Sequence, residues 1–274
     1  MPSAPTSPPQ RTYEERRARA TESFRRFVPE AEPQRVADSF ANRLGPLGTF
    51  AFEVVGDMWD RPALSRRDRS LFIISTLAAQ ARDEELVGHT QIGIRHGLTR
   101  TEIEEILPHV AAYAGFPAAM AASRHIDEGL RQSEDVERLS KRIGAPPKDD
   151  SERDNGAAQV LATLANRAQQ DASADLTELT TQYGYLGEWG YRWVMGEIWS
   201  RPELSVRDRL LVTLSILISL GALRMLTFYI ESALYNGLSQ VEIEELISHL
   251  GLYAGMPRAI DAMDVAREVF EAQK

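Results

Sequence analysis

The chain carries one stretch of sequence twice, and this duplication limits its possible folds more than any other feature. Residues 59–120 align without a gap to the segment 140 residues later, and 24 of the 62 aligned positions are identical. An ungapped repeat of this length predicts two copies of one structural unit. Two copies that each carry an apolar face bury that face against each other, which predicts a pseudo-twofold dimer within one chain.

Local signals in each copy predict an all-α fold. Ser65 and Ser205 each stand three residues before an aspartate, a spacing typical of a helix start. Gly97 and Gly237 precede a second such start, as expected of a residue that ends one helix before the next begins. Strand-like alternation is nowhere sustained. The predicted helices are 12–28, 33–43, 49–59, 66–81, 83–96, 100–113 and 117–130, then 153–170, 175–198, 206–221, 223–236, 240–253 and 257–271.

The predicted domain organisation has two helical domains joined by a polar segment. Residues 1–11 predict a disordered tail, because MPSAPTSPPQ is rich in proline and serine. The first domain is 12–131 and the second is 157–274. Residues 132–156 predict a linker, because the run GAPPKDDSERDNG is polar and contains two prolines. The uncharged run 210–223 is too short to span a bilayer and predicts a buried helix.

Composition excludes several classes of function. The net charge of −9 and the pI near 5.2 argue against nucleic acid or an anionic membrane as a partner. The absence of cysteine excludes disulfides, thiolate metal ligands and thiol redox chemistry. Phosphate-binding glycine loops, GxSxG elbows and HExxH motifs are also missing. We expect a cytoplasmic protein.

The two copies differ at a pair of positions on one predicted helix. Glu85 and His89 in the first copy correspond to Met225 and Tyr229 in the second. The spacing of four places each pair on one helix face, and the apolar counterparts suggest that this face points inward. A carboxylate beside an imidazole raises its pKa and fixes its tautomer, which makes an acid–base couple. A surface salt bridge is the structural alternative.

Other repeated residues have both a structural and a functional interpretation. His109 and Tyr113 recur 140 residues later, so they serve a shared structural role or donate to a substrate oxygen. Arg69 also recurs, either for ion pairing at a helix start or to hold a substrate carboxylate. Trp59 is typical of a core or an interface and is a further candidate for substrate contact.

A metal site is the least favoured interpretation of the histidines. Glu85, His89 and His96 could share a helix stripe, and three such ligands would suit an open zinc site. However, His96 stands beside Gly97, which is predicted to end the helix. A positively charged side chain at a helix C-terminus interacts favourably with the helix dipole, which explains His96 without a metal. We therefore expect no metal.

The motifs WxRPxLxxRxRxL, ELxxH, GLxxxEIEE and HxxxYAGxP occur in this order, and the sequence resembles the carboxymuconolactone decarboxylase family. The resemblance covers about residues 50–130 and 190–270. It implies an all-α fold whose members associate so that sites form between subunits, and hence a homo-oligomer of three tandem chains. Peroxidase relatives carry a Cys-x-x-Cys pair where Arg82 and Glu85 stand here, so thiol peroxidase activity is excluded.

The resemblance also implies a reaction. Members decarboxylate a small carboxylated lactone from aromatic-ring catabolism without a cofactor. His89 would be the general acid, kept protonated by Glu85, and Arg69 or His109 would hold a substrate oxygen, with Tyr113 and Trp59 nearby. The second copy would be inactive. The alternatives are a lactone hydrolase or an isomerase or cyclase of secondary metabolism, and a non-catalytic ligand-binding or assembly protein.

Overall fold

The computed structural model describes residues 11–27, 32–133, 146–169 and 171–273, and all regular structure in these ranges is helical, as predicted. The chain divides into two compact units, Met1–Pro62 and Ala63–Lys274. The described helices of the first unit are α1 (Tyr13–Arg25), α2 (Pro33–Leu44) and α3 (Pro46–Trp59). Those of the second are α4 (Arg66–Ala79), α5 (Asp83–Arg95), α6 (Arg100–Glu104), α7 (Ile106–Tyr113), α8 (Phe116–Arg131), α9 (Asp150–Leu164), α10 (Ala172–Tyr183), α11 (Tyr185–Trp189), a π-helical segment (Gly190–Trp199), α12 (Val206–Leu220), α13 (Leu223–Tyr235), α14 (Gln240–Tyr253) and α15 (Met256–Ala272).

A close approach of α1 and α3 organises the first unit. A Cβ added at Gly56 would stand 2.4 Å from the Cα of Ala20, so only glycine fits at this crossing. One turn along, the rings of Phe24 and Phe52 stack with centroids 4.7 Å apart, and both are buried. Burial of aromatic rings supplies most of the stabilisation that such a small helical unit can gain.

Two apolar helices, one from each copy, form the core of the second unit. Helix α4 is buried from Asp68 to its end, and α12 is buried from Asp208 to Ser219. The two helices pack against each other. Ser65 and Ser205 cap them by accepting a hydrogen bond from the backbone N–H three residues later. The prediction of a buried helix in the uncharged run is confirmed.

After the repeated tryptophan, the helices of the two copies start at equivalent positions, and most predicted boundaries lie within two residues of the observed ones. Gly97 and Gly237 have φ values of 105° and 93°, the left-handed region predicted for them. The helix predicted over 100–113 is interrupted at Glu105, whereas its counterpart α14 is continuous. Pro108 explains the break, because it cannot donate a hydrogen bond to the carbonyl four residues earlier.

The second copy has one extra residue in the helix before the repeated tryptophan. Gly45 and Gly184 share an unusual backbone conformation (φ 58°, ψ −133° and φ 60°, ψ −139°) and lie 139 residues apart. Trp59 and Trp199 lie 140 apart. The extra residue is accommodated by the π-helical segment, whose turns are wider, whereas α3 is α-helical throughout. The prediction of one unbroken helix over 175–198 is wrong, because α10 ends at Tyr183 and is followed by α11 and the π-helical segment.

Part of the predicted linker is helical. Helix α9 starts at Asp150, within the predicted linker 132–156, because Asp149 caps it and the side chain of Glu152 returns the hydrogen bond. Residues 1–10 of the predicted tail and 134–145 of the predicted linker lie outside the described residues. Among the helices described, none has the length and apolar character needed to cross a membrane.

Candidate active site

Contacts between the two copies are reciprocal in the second unit. Arg67 at the start of α4 pairs with Asp208 at 3.0 Å, and Arg207 at the start of α12 pairs with Asp68 at 3.2 Å. Helix α14 packs on α4, and α7 packs on α12. Such reciprocity defines an isologous interface, and it confirms the predicted intrachain pseudo-dimer for the helices of this unit.

Arg69 lies deeper in the interface and is fully buried. Its guanidinium donates to Nδ1 of His249 at 2.8 Å and to Oε1 of Glu245 at 2.9 Å, both on α14 of the other copy. Because an arginine can only donate, Nδ1 is the acceptor and His249 carries its proton on Nε2. Arg69 is fully buried and both of its terminal nitrogens bind the other copy, so the structure does not place it where the expected contact with a substrate carboxylate would be made.

His89 of α5 lies at the edge of the buried helix face. Its ring packs edge-to-face against Tyr253 of the second copy, with centroids 5.4 Å apart. The residue as a whole is partly buried, and its Nδ1 atom is buried. Burial lowers the pKa of His89 to about 4. The imidazole is therefore neutral near pH 7, opposite to the predicted rise.

Glu85 does not share the depth of His89. Each helical residue turns by about 100°, so Glu85 lies about 40° further from the buried stripe. Glu85 is exposed, and so is its counterpart Met225. The prediction that Met225 points inward is wrong, whereas that for Tyr229, 1% exposed, is confirmed. A carboxylate in solvent interacts weakly with a neighbour, so burial controls the charge of His89.

Two residues of α14 complete the surroundings of His89. Tyr253 lies between His89 and His249, and its ring centroid is 5.7 Å from that of His249. His249 in turn packs edge-to-face on Phe72 of α4 at 5.3 Å. Helices α4 and α5 belong to the first copy and α14 to the second. The candidate site is therefore composed of both copies.

The predicted binding residues His109 and Tyr113 lie at the counterpart of this site, not beside His89. Tyr113 forms a short hydroxyl–hydroxyl hydrogen bond with Tyr229, and it accepts a 2.8 Å bond from the indole N–H of Trp199. Arg209 donates to Nε2 of His109 at 3.0 Å. The repeat of the HxxxY motif could have identified His249 and Tyr253 as site residues. Each HxxxY motif, however, lies at the site of the other copy.

The histidine and the tyrosines of the counterpart site are neutral as well. Burial raises the pKa of Tyr113 to about 12. Burial and the nearby charge of Arg209 hold the pKa of His109 well below its ordinary value. The counterpart site is thus a closed cluster of uncharged rings at pH 7.

Trp59 and His96 have structural contacts. Trp59 belongs to the first unit, where it is 1% exposed and packs edge-to-face on Phe27 at 5.0 Å. Nδ1 of His96 lies 2.8 Å from the hydroxyl of Ser70. Among the described residues, no group of three histidine or carboxylate side chains is placed to hold a metal ion.

An open, mainly apolar groove of about 620 Å³ lies between helices α6–α8 and the π-helical segment. Its wall includes Phe116, Met120 and Trp193, which are 65%, 59% and 44% exposed. None of the predicted site residues lines it. The groove is therefore a surface feature, separate from the histidine–tyrosine sites.

These features define a duplicated, thiol-free helical protein with two equivalent histidine–tyrosine sites, each composed of residues from both copies. The chain belongs to the carboxymuconolactone decarboxylase family, whose model matches residues 50–128 and 189–268, one match in each copy.

Two curated relatives match part of the chain. The 4-carboxymuconolactone decarboxylase of Acinetobacter baylyi is 42% identical over 73 residues, which are 27% of this chain and 54% of the relative. The nitrosuccinic acid decarboxylase of Metarhizium robertsii is 39% identical over 67 residues, which are 24% of this chain and 47% of the relative. The chain thus spans about half the length of the curated relatives it matches.

Proposed function

We propose that this protein is a decarboxylase-type lyase that acts on a small carboxylated lactone or a related small carboxylic acid. The observation that carries the proposal is the neutral, partly buried imidazole of His89 packed against Tyr253. Both matched relatives are named for decarboxylation. Their named substrates each carry an electron-withdrawing group that can take the electron pair left by CO₂.

The reaction breaks the bond between the carboxylate and its neighbouring carbon, releases CO₂, and needs one proton on that carbon. His89 is neutral before the substrate binds. A substrate anion beside the ring raises the pKa of the imidazole, so His89 takes a proton from solvent and delivers it to the carbon. This scheme uses neither a metal nor an organic cofactor.

Neighbouring residues support this step in different ways. Tyr253, whose ring contacts that of His89, supplies a hydroxyl donor for the oxygen on which negative charge develops. Arg69 is a positioning residue, because its hydrogen bond holds His249 in one tautomer. Glu85 contributes only the field of an exposed charge, so its role is small.

The test is CO₂ release from 4-carboxymuconolactone and from nitrosuccinate by the full chain. His89→Asn should reduce turnover by about 10²–10⁴-fold, the usual contribution of an acid–base residue. Glu85→Gln should reduce it by less than about tenfold, because an exposed charge is screened by solvent. His125→Asn, the same change at a histidine on α8, should leave turnover unchanged.

Other reactions give other products. A lactone hydrolase would open the ring without CO₂, and a binding protein would bind the lactone without turnover. Either result, or near-normal turnover of His89→Asn, would contradict the proposal.

We also propose that the chain forms a homo-oligomer of three copies. Large apolar side chains are exposed at equivalent positions of both copies, and these pairs are Phe116 with Met256 and Met120 with Ile260. Exposed apolar patches that recur in this way are typical of protein–protein contacts.

A further inference from the structure

We infer that the second copy retains a blocked counterpart of the His89 site, and that the phenol ring of Tyr229 is its occupant. The occupant is assigned from geometry alone, whereas the latent chemistry of this counterpart rests on the proposed function.

The two positions have corresponding polar residues around them, although some of the hydrogen bonds differ. Four polar residues of the His89 site have counterparts in the Tyr229 site, so that Tyr253, His249, Arg69 and Glu245 correspond to Tyr113, His109, Arg209 and Glu105. An arginine–histidine hydrogen bond is present in both sites, to Nδ1 of His249 at 2.8 Å and to Nε2 of His109 at 3.0 Å. The framework of the site has therefore been kept in both copies.

Tyr229 fills the counterpart site. It is 1% exposed, and its ring stacks on Trp199 with centroids 5.7 Å apart and planes 16° apart. Its hydroxyl bonds that of Tyr113, which also accepts from the Trp199 indole. A histidine at this position is shorter than a tyrosine and lacks this hydroxyl. The phenol ring of Tyr229 therefore occupies the space, and forms the hydrogen bond, that would be available to a ligand if a histidine stood at this position.

The cluster has the chemistry of a receptor for a planar ring that carries a hydroxyl group. An aromatic face covers the ring, and a tyrosine hydroxyl held by an indole N–H meets its oxygen. Cavities made by deleting a buried side chain bind small rings of matching size. Removal of the Tyr229 side chain should therefore make the second copy bind phenol.

The experiment compares phenol with toluene as ligands of Tyr229→Ala in the full chain, read out as a thermal shift. Phenol at about tenfold its Kd should raise the Tm by about 2–4 °C, and toluene by clearly less, because it leaves the Tyr113 hydroxyl without a partner. The unsubstituted protein, whose first site has no blocking phenol, gives the baseline, and the shift of Tyr229→Ala should exceed this baseline by that amount. The control Leu226→Ala, a cavity on the same helix, should show no preference for phenol.

Equal shifts with phenol and toluene, or no shift with either, would overturn the inference. If Tyr229→Ala does not fold, the smaller change Tyr229→His decides, tested in a His89→Asn background. Recovery of at least about tenfold in CO₂ release over His89→Asn supports a blocked second site, and no recovery overturns it. An unsubstituted protein without activity would contradict the proposed function, while the phenol comparison would still decide the inference.

Discussion

Burial, not pairing with a carboxylate, controls the charge of His89 and His109, which lie in different candidate sites. His89 and His109 both have lowered pKa values, and loss of solvent is the main cause at each. The carboxylate expected to oppose this effect, Glu85, lies in solvent. A sequence shows that two residues share a helix face, but it does not show how deep that face sits. This explains why the pKa direction could not be predicted.

The lowered pKa of His89 predicts a pH dependence of stability. The unfolded chain binds a proton at this residue below about pH 6.5, whereas the folded protein binds it only near pH 4. The free energy of unfolding therefore falls as pH decreases from 6.5 to 4, by up to about 3 kcal/mol from this residue.

Urea unfolding between pH 4.5 and 7.5 measures this effect. His89→Asn should flatten the dependence, because it removes the titrating group. Leu77→Ala, a buried apolar change without a titrating group, should lower stability and keep the slope. A slope unchanged in His89→Asn would show that its folded pKa is not lowered.

Helix boundaries were the most predictable feature at the level of secondary structure. Capping residues such as Ser65 and Thr99 act within one turn, so a few letters of sequence determine the start of a helix. The π-helical segment depends instead on a change of register from 139 to 140 residues between the copies. An alignment that starts at the repeated tryptophan cannot show this change.

The extra residue of the π-helical segment predicts that one deletion is tolerated. Trp193 is 44% exposed, and its ring carries a cation–π contact from Arg153 at 4.2 Å. Deleting Trp193 should convert the segment into an α-helix like α3 and lower the Tm by only about 2–4 °C, mainly through loss of that contact. Arg192 would keep its two bonds to Asp154.

Circular dichroism during heating checks this. Deletion of Ile216, a fully buried residue of α12, is the control and should abolish cooperative unfolding, because it rotates a buried helix out of register. If both deletions were equally damaging, the segment would not contain a surplus residue.

At the scale of the whole molecule, the duplication in the sequence predicted the two-copy helical architecture. It did not show that each copy contributes a helix to the site of the other copy. Each HxxxY motif lies on a helix that packs against the core helix of the other copy. Sequence order groups His109 and Tyr113 with His89, whereas the structure places their repeats, His249 and Tyr253, on that side. Assigning motifs to sites requires the packing of the two copies.

The proposed assembly predicts a mass in solution. Three chains of 30.6 kDa give 91.8 kDa by light scattering. Phe116→Glu combined with Met256→Glu should shift the protein to single chains, because each change places a charge in an exposed apolar patch. Tyr235→Glu, a charge at another exposed ring, is the control and should leave the mass unchanged. A single-chain mass for the unsubstituted protein would contradict the assembly.

The crossing of α14 into the site of its neighbour gives the two halves of the gene unequal freedom to vary. In the second half, α13 carries Tyr229 where α5 carries His89, whereas α14 carries His249 and Tyr253, which lie at the site of the first half. Either half alone would therefore lack a complete candidate site, and substitutions should be tolerated best around the cluster of Tyr229 rather than evenly across the second half.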